Sequence, residues 1–294
     1  MIEQGINKAS AQELELGFED RHFDAISALV KREAGISFST GKSSLIFNRL
    51  ARRLRSRGIA NFDSYCRLLE NDGAERAIVV ESLTTNHTHF CREPHHFEFI
   101  EGELLPKLLE HARRGGRVRF WSAGCSSGEE PYTLALSIAK VAERLEPFNP
   151  TWFLDADIAI LATDIATQMV ETGKAGVYAA DRVEPIDADL RKRWLAPDGK
   201  GFRFDERLRK MIAFRPLNLF HPWPMSGHFD VIICRNVMIY FGPEERLSLE
   251  RRFAEALVPQ GHLIIGHSER LAPETRTLFA SRGQTIYQLE GSAA

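Results

Sequence analysis

Residues 117–132 read Arg-Val-Arg-Phe-Trp-Ser-Ala-Gly-Cys-Ser-Ser-Gly-Glu-Glu-Pro-Tyr, and this stretch decides the fold class. Its first five residues are typical of a strand, its small central residues of a tight loop, and its end of a helix N-terminus. Strands that alternate with helices indicate a parallel sheet covered on both faces, and so an α/β fold. The alternation continues with strands predicted at Ile158–Thr163, Phe229–Cys234, His262–Gly266 and Gln284–Leu289, and helices at Tyr132–Leu145 and Glu244–Leu257.

The chain before this stretch has a different pattern. From Gly17 to Thr85 apolar residues recur at helical spacing throughout, as Phe23, Ile26 and Val30 do. This spacing predicts a small all-α domain ahead of the sheet. The predicted divisions are a tail at residues 1–17, the all-α domain at 18–85, a linker with a connecting helix at 86–115, and the α/β domain at 116–294.

One segment of the α/β domain, Gly173–Arg215, fits the alternation poorly. Its Asp198-Gly-Lys-Gly201 sequence, followed by the alternating Phe202-Arg-Phe204, is a hairpin signal. We interpret the segment as a small insertion on the sheet, at about residues 175–212.

Composition excludes several classes of protein. A chain of 294 residues with 44% hydrophobic residues can bury a proper core, and a formal charge of −2 gives no general attraction to nucleic acid or anionic membranes. No apolar run approaches the roughly 20 residues that span a bilayer, and Met1–Asp20 lacks the pattern of a signal peptide. The four cysteines are widely spread, so neither a zinc site nor a disulfide framework is indicated. We expect a soluble protein of the reducing cytoplasm.

Three polar clusters lie at predicted strand or domain edges, which is typical of a ligand pocket. They are Thr84–Glu93, Ser122–Tyr132 and Arg235–Asn236. In the second cluster, Glu129 and Glu130 would repel a pyrophosphate at the helix N-terminus, so they favour a ligand with positive charge. Acidic residues also favour the start of a helix without any ligand, and the sequence leaves both interpretations open.

Asp164 directly follows a predicted strand, where a carboxylate can accept hydrogen bonds from both ribose hydroxyls of a nucleoside. The same residue in the same place can instead cap the next helix. The histidines at 87, 89, 95 and 96 have no carboxylate or cysteine partner at a metal-ligand spacing, so we predict no metal site.

A basic stretch without acids runs from Gly41 to Arg57 on a helix whose other face is apolar. It predicts either a solvated face or a surface for an acidic partner. Nucleic acid is less favoured because no aromatic residues interleave with the charges.

Five segments together resemble the CheR family of chemotaxis receptor methyltransferases. The resemblance extends from about Phe18 to Leu289. It implies a class I S-adenosylmethionine-dependent methyltransferase with a doubly wound sheet, preceded by a small all-α domain and carrying a β-subdomain as the insertion. The segments are Leu83–Glu93, Trp121–Tyr132, Ala162–Ile165, Phe229–Phe241 and Gly266–Glu269.

The resemblance also implies roles for individual residues. Arg92 and Tyr240 are the implied catalytic residues, with Tyr240 facing the transferred methyl group. The basic helix implies receptor binding by Arg49, Arg53 and Arg57, and no metal is implied. Cofactor contacts are implied for Asn86, Thr88, Arg92, Glu130, Asp164, Asn218, Leu219, Arg235 and Asn236. A sulfonium cofactor would explain why the loop at Ser122–Tyr132 carries acids.

The implied reaction is methyl transfer from S-adenosylmethionine to glutamate side chains on the helical, acidic cytoplasmic domain of methyl-accepting chemotaxis receptors. It yields glutamate methyl esters and S-adenosylhomocysteine. In some family members a receptor tail peptide binds the β-subdomain, which makes such a peptide a second expected partner. We expect neither nucleic acid binding nor membrane insertion.

Two alternatives stay open, namely a methyltransferase for small molecules or RNA, and a non-enzymatic binder of S-adenosylmethionine. The chain also departs from the family at one position. The family has two aromatic residues before the Arg-Glu pair, whereas Phe90 is followed here by Cys91. This departure affects a local packing contact and leaves the polar residues in place.

Overall fold

The computed structural model of the chain describes residues 16–291. The chain divides into two compact units, of which the first ends at Thr85 and also takes in Tyr240–Glu245. The second comprises Asn86–Ile239 and the chain from Arg246 onward. The predicted tail at residues 1–17 lies outside the described residues, apart from its last two.

The first unit is helical, which confirms the predicted all-α domain. Asn61 and Asp72 cap two of its helices, because their side chains accept hydrogen bonds from the backbone N–H groups of Ser64 and Glu75, each at 2.9 Å. The predicted apolar stripes face inward and are buried. The helices are α1 (Asp20–Ala34), α2 (Ser43–Ser56), α3 (Phe62–Asn71) and α4 (Gly73–Leu83), with a 3₁₀ turn at Thr40–Lys42.

A short later segment, Tyr240–Glu245, belongs to this first unit. The backbone N–H of Ser37 donates to the carbonyl oxygen of Tyr240 at 2.8 Å, and Ile36 forms an antiparallel bridge with Phe241. The sequence did not predict this return, because the two paired segments lie about 200 residues apart and neither has a pattern that specifies the other.

The second unit contains a large, mostly parallel sheet and a small antiparallel one, as predicted. The strands in chain order are β1 (Val118–Ala123), β2 (Ile158–Asp164), β3 (Val177–Ala179), β4 (Leu195–Asp198), β5 (Gly201–Phe204), β6 (Ile212–Pro216), β7 (Phe229–Cys234), β8 (Leu257–Ile265), β9 (Phe279–Gly283) and β10 (Ile286–Leu289).

The large sheet has the order β6-β2-β1-β7-β8-β10-β9. The first five strands of this order run parallel, and only β10 and β9 are antiparallel to their neighbours. After β1 the chain adds strands on the β2 side first and on the β7 side later. This reversal leaves a crevice at the carboxyl ends of β1 and β7, where sheets of this kind bind ligands.

The small sheet has the order β3-β5-β4, and β4 and β5 form the predicted hairpin. The segment interpreted as an insertion ends in β6, an edge strand of the large sheet that the sequence did not predict. Ile212–Pro216 is short, follows a charged helix and ends in proline, so it lacks a strong strand signal.

Helices alternate with the strands along this part of the chain. Those outside the first four are α5 (Pro94–Phe99), α6 (Leu105–Arg113), α7 (Glu129–Leu145), α8 (Thr167–Ala175), α9 (Ala180–Val183), α10 (Ala188–Trp194), α11 (Glu206–Lys210), α12 (Pro243–Ala256) and α13 (Pro273–Arg276). A π-helical turn at Ile100–Leu104 joins α5 to α6, and 3₁₀ turns lie at Trp152–Leu154 and Met238–Tyr240. Within residues 16–291, none of the helices has the length and apolar character needed to cross a membrane.

Candidate active site

The loop after β1 folds over the carboxyl end of β2. Gly124 and Ser126 have φ angles of 83° and 48°, in the left-handed region. A Cβ atom at Gly124 would lie 2.4 Å from Cγ2 of Val237, so only glycine fits there. The backbone N–H groups of Gly124 and Cys125 both donate to the carbonyl oxygen of Thr163, at 2.8 and 2.9 Å. The strand end and the loop therefore form one rigid edge.

Asp164 lies at this edge and is buried. Its Oδ2 accepts a hydrogen bond from the backbone N–H of Ser126 at 2.8 Å, and its Oδ1 accepts one from Ala166 at 2.9 Å. These two bonds orient the Asp164 carboxylate at the edge. Asp164 therefore caps the turn that leads into α8, and its contact with ribose hydroxyls stays a prediction.

Glu130, at the start of α7, is paired with an arginine from the neighbouring strand end. Its Oε2 accepts a hydrogen bond from Nε of Arg235 at 2.7 Å, and its Oε1 accepts one from Ser122 at 2.6 Å. The guanidinium of Arg235 also lies over the ring of Phe97, 5.2 Å from its centroid. Glu130 therefore links β1, α7 and the end of β7.

Glu129 is also paired with an arginine, in this case Arg182 of α9. Its side chain is fully buried, accepts a hydrogen bond from Ser127 at 2.7 Å, and forms an ion pair with Arg182. The two loop acids therefore do not offer a cation the free negative charge that the sequence suggested. Each carboxylate already has an arginine partner that the local sequence does not reveal.

The segment Asn86–Glu93 connects the two sides of the crevice. The carbonyl oxygen of Asn86 accepts a hydrogen bond from Oγ of Ser126 at 2.9 Å. The carbonyl oxygen of Arg92 accepts one from Nη1 of Arg235 at 2.5 Å. The structure therefore brings the predicted residues Asn86, Arg92 and Arg235 together with Glu130 and Asp164.

Other residues of this segment hold it in place. The guanidinium of Arg92 donates to the carbonyl oxygen of His87 at 2.9 Å, and Phe90 is buried against the ring of Tyr178, with centroids 5.0 Å apart. Cys91 has a φ angle of 57° and a partly buried thiol 3.6 Å from the carbonyl oxygen of Pro185. Thr88 is half-buried.

Glu93 is a site residue that the sequence reasoning missed, although it stood in the quoted Arg-Glu pair. Its Oε1 accepts a hydrogen bond from the side-chain amide of Asn236 at 3.0 Å and lies 2.9 Å from Nδ1 of His267. Burial opposes its ionisation. Contacts with His96, Asn236 and His267 and the charge of Arg235 outweigh that effect and hold the pKa of Glu93 well below its ordinary value. An ionised Glu93 therefore fixes Asn236.

Two of the histidines, His95 and His96, do have a carboxylate neighbour. Glu93 provides the carboxylate partner that the sequence argument did not find for the histidines, since ligand atoms of Glu93, His95 and His96 lie within 4.8 Å of one another. However, Nη1 of Arg235 lies 3.7 Å from Oε2 of Glu93 and 3.5 Å from Nδ1 of His96. This guanidinium supplies positive charge where a metal ion would, and the absence of a metal stays a prediction.

Glu269 is a second residue whose role the sequence did not reveal. It is buried after β8, and its carboxylate accepts backbone hydrogen bonds from Gly266 at 2.6 Å, Asn236 at 3.0 Å and Ile239 at 3.2 Å. Burial raises the pKa of Glu269 against the opposing effect of these N–H groups. Glu269 thereby joins the loops that follow β7 and β8. It also satisfies the backbone of Asn236, whose φ angle is 59°.

Asn218 and Leu219 follow β6 at the same edge of the sheet. Oδ1 of Asn218 accepts a hydrogen bond from the backbone N–H of Phe220 at 3.0 Å. The carbonyl oxygen of Leu219 accepts one from Nη1 of Arg252 at 2.6 Å, and that guanidinium stacks on Trp223 at 4.0 Å. These contacts fix the turn, and a direct cofactor contact by either residue stays a prediction.

Comparison with protein families decides the identity of this arrangement. The family model described as "CheR methyltransferase, SAM binding domain" matches residues 86–288, and "CheR methyltransferase, all-alpha domain" matches residues 21–84. This chain belongs to the CheR methyltransferase family. The resemblance inferred from the five segments is therefore confirmed.

Relatives of known name match over nearly the whole chain. A probable chemotaxis protein methyltransferase of Rhizobium etli is 39% identical over 88% of this chain and 96% of its own length. The chemotaxis protein methyltransferase of Escherichia coli K12 is 38% identical, over 93% of this chain and 92% of its own. Chemotaxis protein methyltransferase 2 of Pseudomonas aeruginosa is 36% identical, over 93% and 94%.

The second unit of this CheR protein is an S-adenosylmethionine-dependent methyltransferase domain. Its residues fit such a cofactor, since a loop of small residues with left-handed backbone stands beside a carboxylate at the end of the next strand.

The basic helix of the CheR all-α domain is α2, and the structure gives its predicted receptor-binding arginines internal partners. Arg49 donates to the carbonyl oxygens of Ser82, in the last turn of α4, at 3.2 Å and of Thr84, just after that helix, at 2.6 Å. Arg53 and Arg57 both pair with the buried carboxylate of Glu75. These arginines therefore stabilise the helical unit, and their predicted contact with receptor is untested.

Two other arginines of α2, Arg52 and Arg55, are exposed and form no ion pair among residues 16–291. An open groove of about 610 Å³ lies on this face. The groove is lined by Asn48, Arg49, Arg52, Arg53, Ser56 and Ser82.

Tyr240 is the second implied catalytic residue, besides Arg92. It is half-buried at the end of its 3₁₀ turn, and its role rests on the family resemblance.

Proposed function

We propose that this CheR protein transfers the methyl group of S-adenosylmethionine to glutamate side chains in the cytoplasmic domain of methyl-accepting chemotaxis receptors. The products are glutamate methyl esters and S-adenosylhomocysteine, and the place of action is the cytoplasm. One observation carries the proposal. The segment Asn86–Glu93 is hydrogen-bonded to the β1 loop at one end and to the β7 edge at the other. Three of the proposed cofactor contacts, Asn86, Thr88 and Arg92, belong to this segment.

The proposed reaction does not require the protein to transfer a proton. A glutamate carboxylate has an unperturbed pKa of about 4.3, so the acceptor is already ionised at pH 7 and needs no general base. When bound, the cofactor supplies an electrophilic methyl group on a positively charged sulfur. The protein's contribution is to hold the attacking oxygen in line, which is worth effective molarities of about 10⁵ M or more in favourable cases.

Arg92 is suited to orient that carboxylate. A guanidinium has five N–H donors, and the hydrogen bond to the carbonyl oxygen of His87 fixes the side chain while leaving other donors for a substrate. We assign Asp164 to the ribose hydroxyls. The other proposed cofactor contacts are Asn86, Thr88, Arg92, Glu130, Asn218, Leu219, Arg235 and Asn236. Arg235 acts in part indirectly, because it orients Glu130 and the backbone of Arg92.

Tyr240→Phe removes only a hydroxyl and keeps the ring. It therefore distinguishes a hydroxyl that orients the attacking oxygen from a ring that serves only for packing. If the hydroxyl orients the attacking oxygen, single-turnover methyl transfer should slow about tenfold while cofactor affinity is unchanged, because the contact matters mainly in the transition state. Arg92→Ala should weaken both steps, and the double variant should be non-additive because both groups position one oxygen. Tyr287→Phe in β10 is the matched control. Wild-type rates for Tyr240→Phe would reduce Tyr240 to a packing or cation–π residue.

The exposed arginines of α2 are proposed to dock acidic receptor helices. Arg52→Glu/Arg55→Glu should raise the KM for receptor about fivefold or more and leave cofactor affinity unchanged, since rim charges steer association. Arg53 and Arg57 are unsuitable for this test because they hold Glu75. Arg113→Glu/Arg114→Glu at the C-terminal end of α6 changes the net charge equally and is the control. An equal KM change in both double variants would reject specific docking.

The rival functions differ in the acceptor, so one assay separates them. The full chain is incubated with methyl-labelled cofactor and either a receptor cytoplasmic fragment, total RNA or a small-metabolite extract. We expect label in the receptor fragment alone. Label in RNA or metabolites would support a methyltransferase of another class, and cofactor binding without any transfer would support a sensor. A receptor tail peptide at the small sheet is the second proposed partner.

A further inference from the structure

Arg182 neutralises a fully buried carboxylate at the start of α7. It lies on α9, directly after the first strand of the small sheet, and 40% of its side chain is exposed. Its Nη2 forms an ion pair with Oε1 of Glu129 and also lies 3.3 Å from Oγ of Ser127. Glu129 has no exposed side-chain surface, so it depends on Arg182 for its counter-charge.

Tyr178, four residues before Arg182, contacts the same loop. Its hydroxyl donates to the carbonyl oxygen of Ser127 at 2.7 Å, and a Cβ atom at Gly128 would lie 2.8 Å from that hydroxyl oxygen. Gly128 has a φ angle of 98°, a conformation that other residues rarely adopt. The segment from β3 to α9 therefore clamps Ser127–Glu129 through both backbone and side chains.

The clamped residues adjoin those that hold the proposed cofactor contacts. Ser126, next to Ser127, donates its backbone N–H to Asp164 at 2.8 Å and its hydroxyl to the carbonyl oxygen of Asn86 at 2.9 Å. A shift of Ser127 would thus be passed to the carboxylate of Asp164 and to the start of the Asn86–Glu93 segment. Arg182 can influence the cofactor edge through this chain of contacts.

We propose that Arg182 is a positioning residue for cofactor binding. The inference rests on the proposed cofactor site. Its positive charge keeps the Glu129 carboxylate inside the protein, and that carboxylate holds Ser127 and hence the Ser126 contacts to Asp164 and Asn86. A buried carboxylate without a cation is strongly unfavourable, so loss of Arg182 should turn Glu129 outward or draw water to it and displace the loop.

The test uses the full chain and titration calorimetry with S-adenosylhomocysteine, together with steady-state kinetics on a receptor fragment. Arg182→Met should weaken binding about tenfold, since small displacements in a positioning site have large effects. The KM for S-adenosylmethionine should rise by a similar factor, while kcat at saturating cofactor changes less. Arg182→Lys, which keeps the charge, should stay within about threefold of wild type. Arg203→Met removes an exposed charge from the same small sheet and should change nothing.

The double variant Arg182→Met/Glu129→Gln distinguishes positioning through charge from general damage. An amide still accepts the Ser127 hydrogen bond and carries no charge, so binding should return to within about threefold of wild type. Wild-type affinity in Arg182→Met, or no recovery in the double variant, would overturn the proposal. If Arg182→Met does not fold, Arg182→Lys and the double variant decide. Failure of the wild-type chain to bind S-adenosylhomocysteine would instead reject the proposed function.

Discussion

Arg53→Met/Arg57→Met is expected to destabilise the helical unit by about 3 to 5 kcal/mol, the usual cost of leaving a buried charge without its partner. The Glu75 side chain has no exposed surface, and Arg53 donates to it at 2.9 and 2.7 Å. Arg57 also pairs with this carboxylate, and the hydroxyl of Tyr65 donates to it at 2.7 Å. Hydrogen exchange of the α2–α4 amides in the full chain measures the effect.

Two further variants make this prediction specific. Arg52→Met/Arg55→Met removes two exposed charges from the same helix and should cost about 0.5 kcal/mol or less. Adding Glu75→Gln to the first double variant removes the uncompensated charge and should restore much of the lost protection. If Arg53→Met/Arg57→Met exchanged no faster than the Arg52/Arg55 control, Glu75 would not be a buried charge held by arginines.

The same ion pairs set the acid sensitivity of the helical unit. Hydrogen bonds from Arg53, together with those from Tyr65 and Arg57, outweigh burial and lower the pKa of Glu75 from 4.5 to about 2. Because the folded-state pKa is depressed, this stabilisation is present above pH 4.5 and is lost as the pH falls toward 2. It amounts to at most about 3 kcal/mol, since solvent screens the partly exposed arginines. Glu75→Gln should abolish this part of the acid dependence.

Asp164→Ala is expected to lower the affinity for S-adenosylmethionine and S-adenosylhomocysteine about tenfold or more. Hydrogen bonds to a charged group are worth about 1.5 to 3 kcal/mol, and the substitution removes the proposed acceptor for two ribose hydroxyls. It also removes the acceptor for the backbone N–H groups of Ser126 and Ala166, which loosens the β1 loop. Titration calorimetry measures the affinity, and circular dichroism checks that the variant folds.

The chain offers a matched control at the other end of β2. Asp157 precedes the strand, is exposed and pairs with the partly exposed Arg119, so Asp157→Ala should leave cofactor affinity unchanged. Wild-type affinity in a folded Asp164→Ala variant would remove Asp164 from the cofactor site. An equal loss in both variants would indicate a general effect of perturbing β2.

The secondary structure was predictable where a local pattern is strong. β7 was predicted with its correct bounds because Phe229–Cys234 contains the consecutive β-branched residues Val231–Ile233, which are typical of a buried strand. β6 was missed because Ile212–Pro216 is short and ends in proline. The return of Tyr240–Glu245 to the helical unit was missed for another reason. It depends on pairing Phe241 with Ile36, and no local pattern encodes a contact between segments so far apart.

In the candidate site, too, features with a local sequence pattern were predictable and contacts between distant residues were not. Asp164 and Glu130 were predicted because they stand at strand and helix ends within recognisable motifs. The pairing of Glu130 with Arg235 was not, because this ion pair joins residues from different elements. The pairing of Arg53 and Arg57 with Glu75 was not predictable for the same reason. A basic helix has the same sequence pattern whether its charges face solvent or a buried carboxylate.

Transfer of the methyl group to a glutamate carboxylate can be recognised from the chemistry of the product. The full chain is incubated with methyl-labelled S-adenosylmethionine and a receptor cytoplasmic fragment, and the bond that holds the label is then analysed. Mild base should release the label as methanol, because carboxyl esters hydrolyse under these conditions, and peptide mapping should place it on glutamate side chains. Glutamine in place of those glutamates should abolish incorporation. A base-stable label, or one on lysine, arginine or a backbone terminus, would contradict the account.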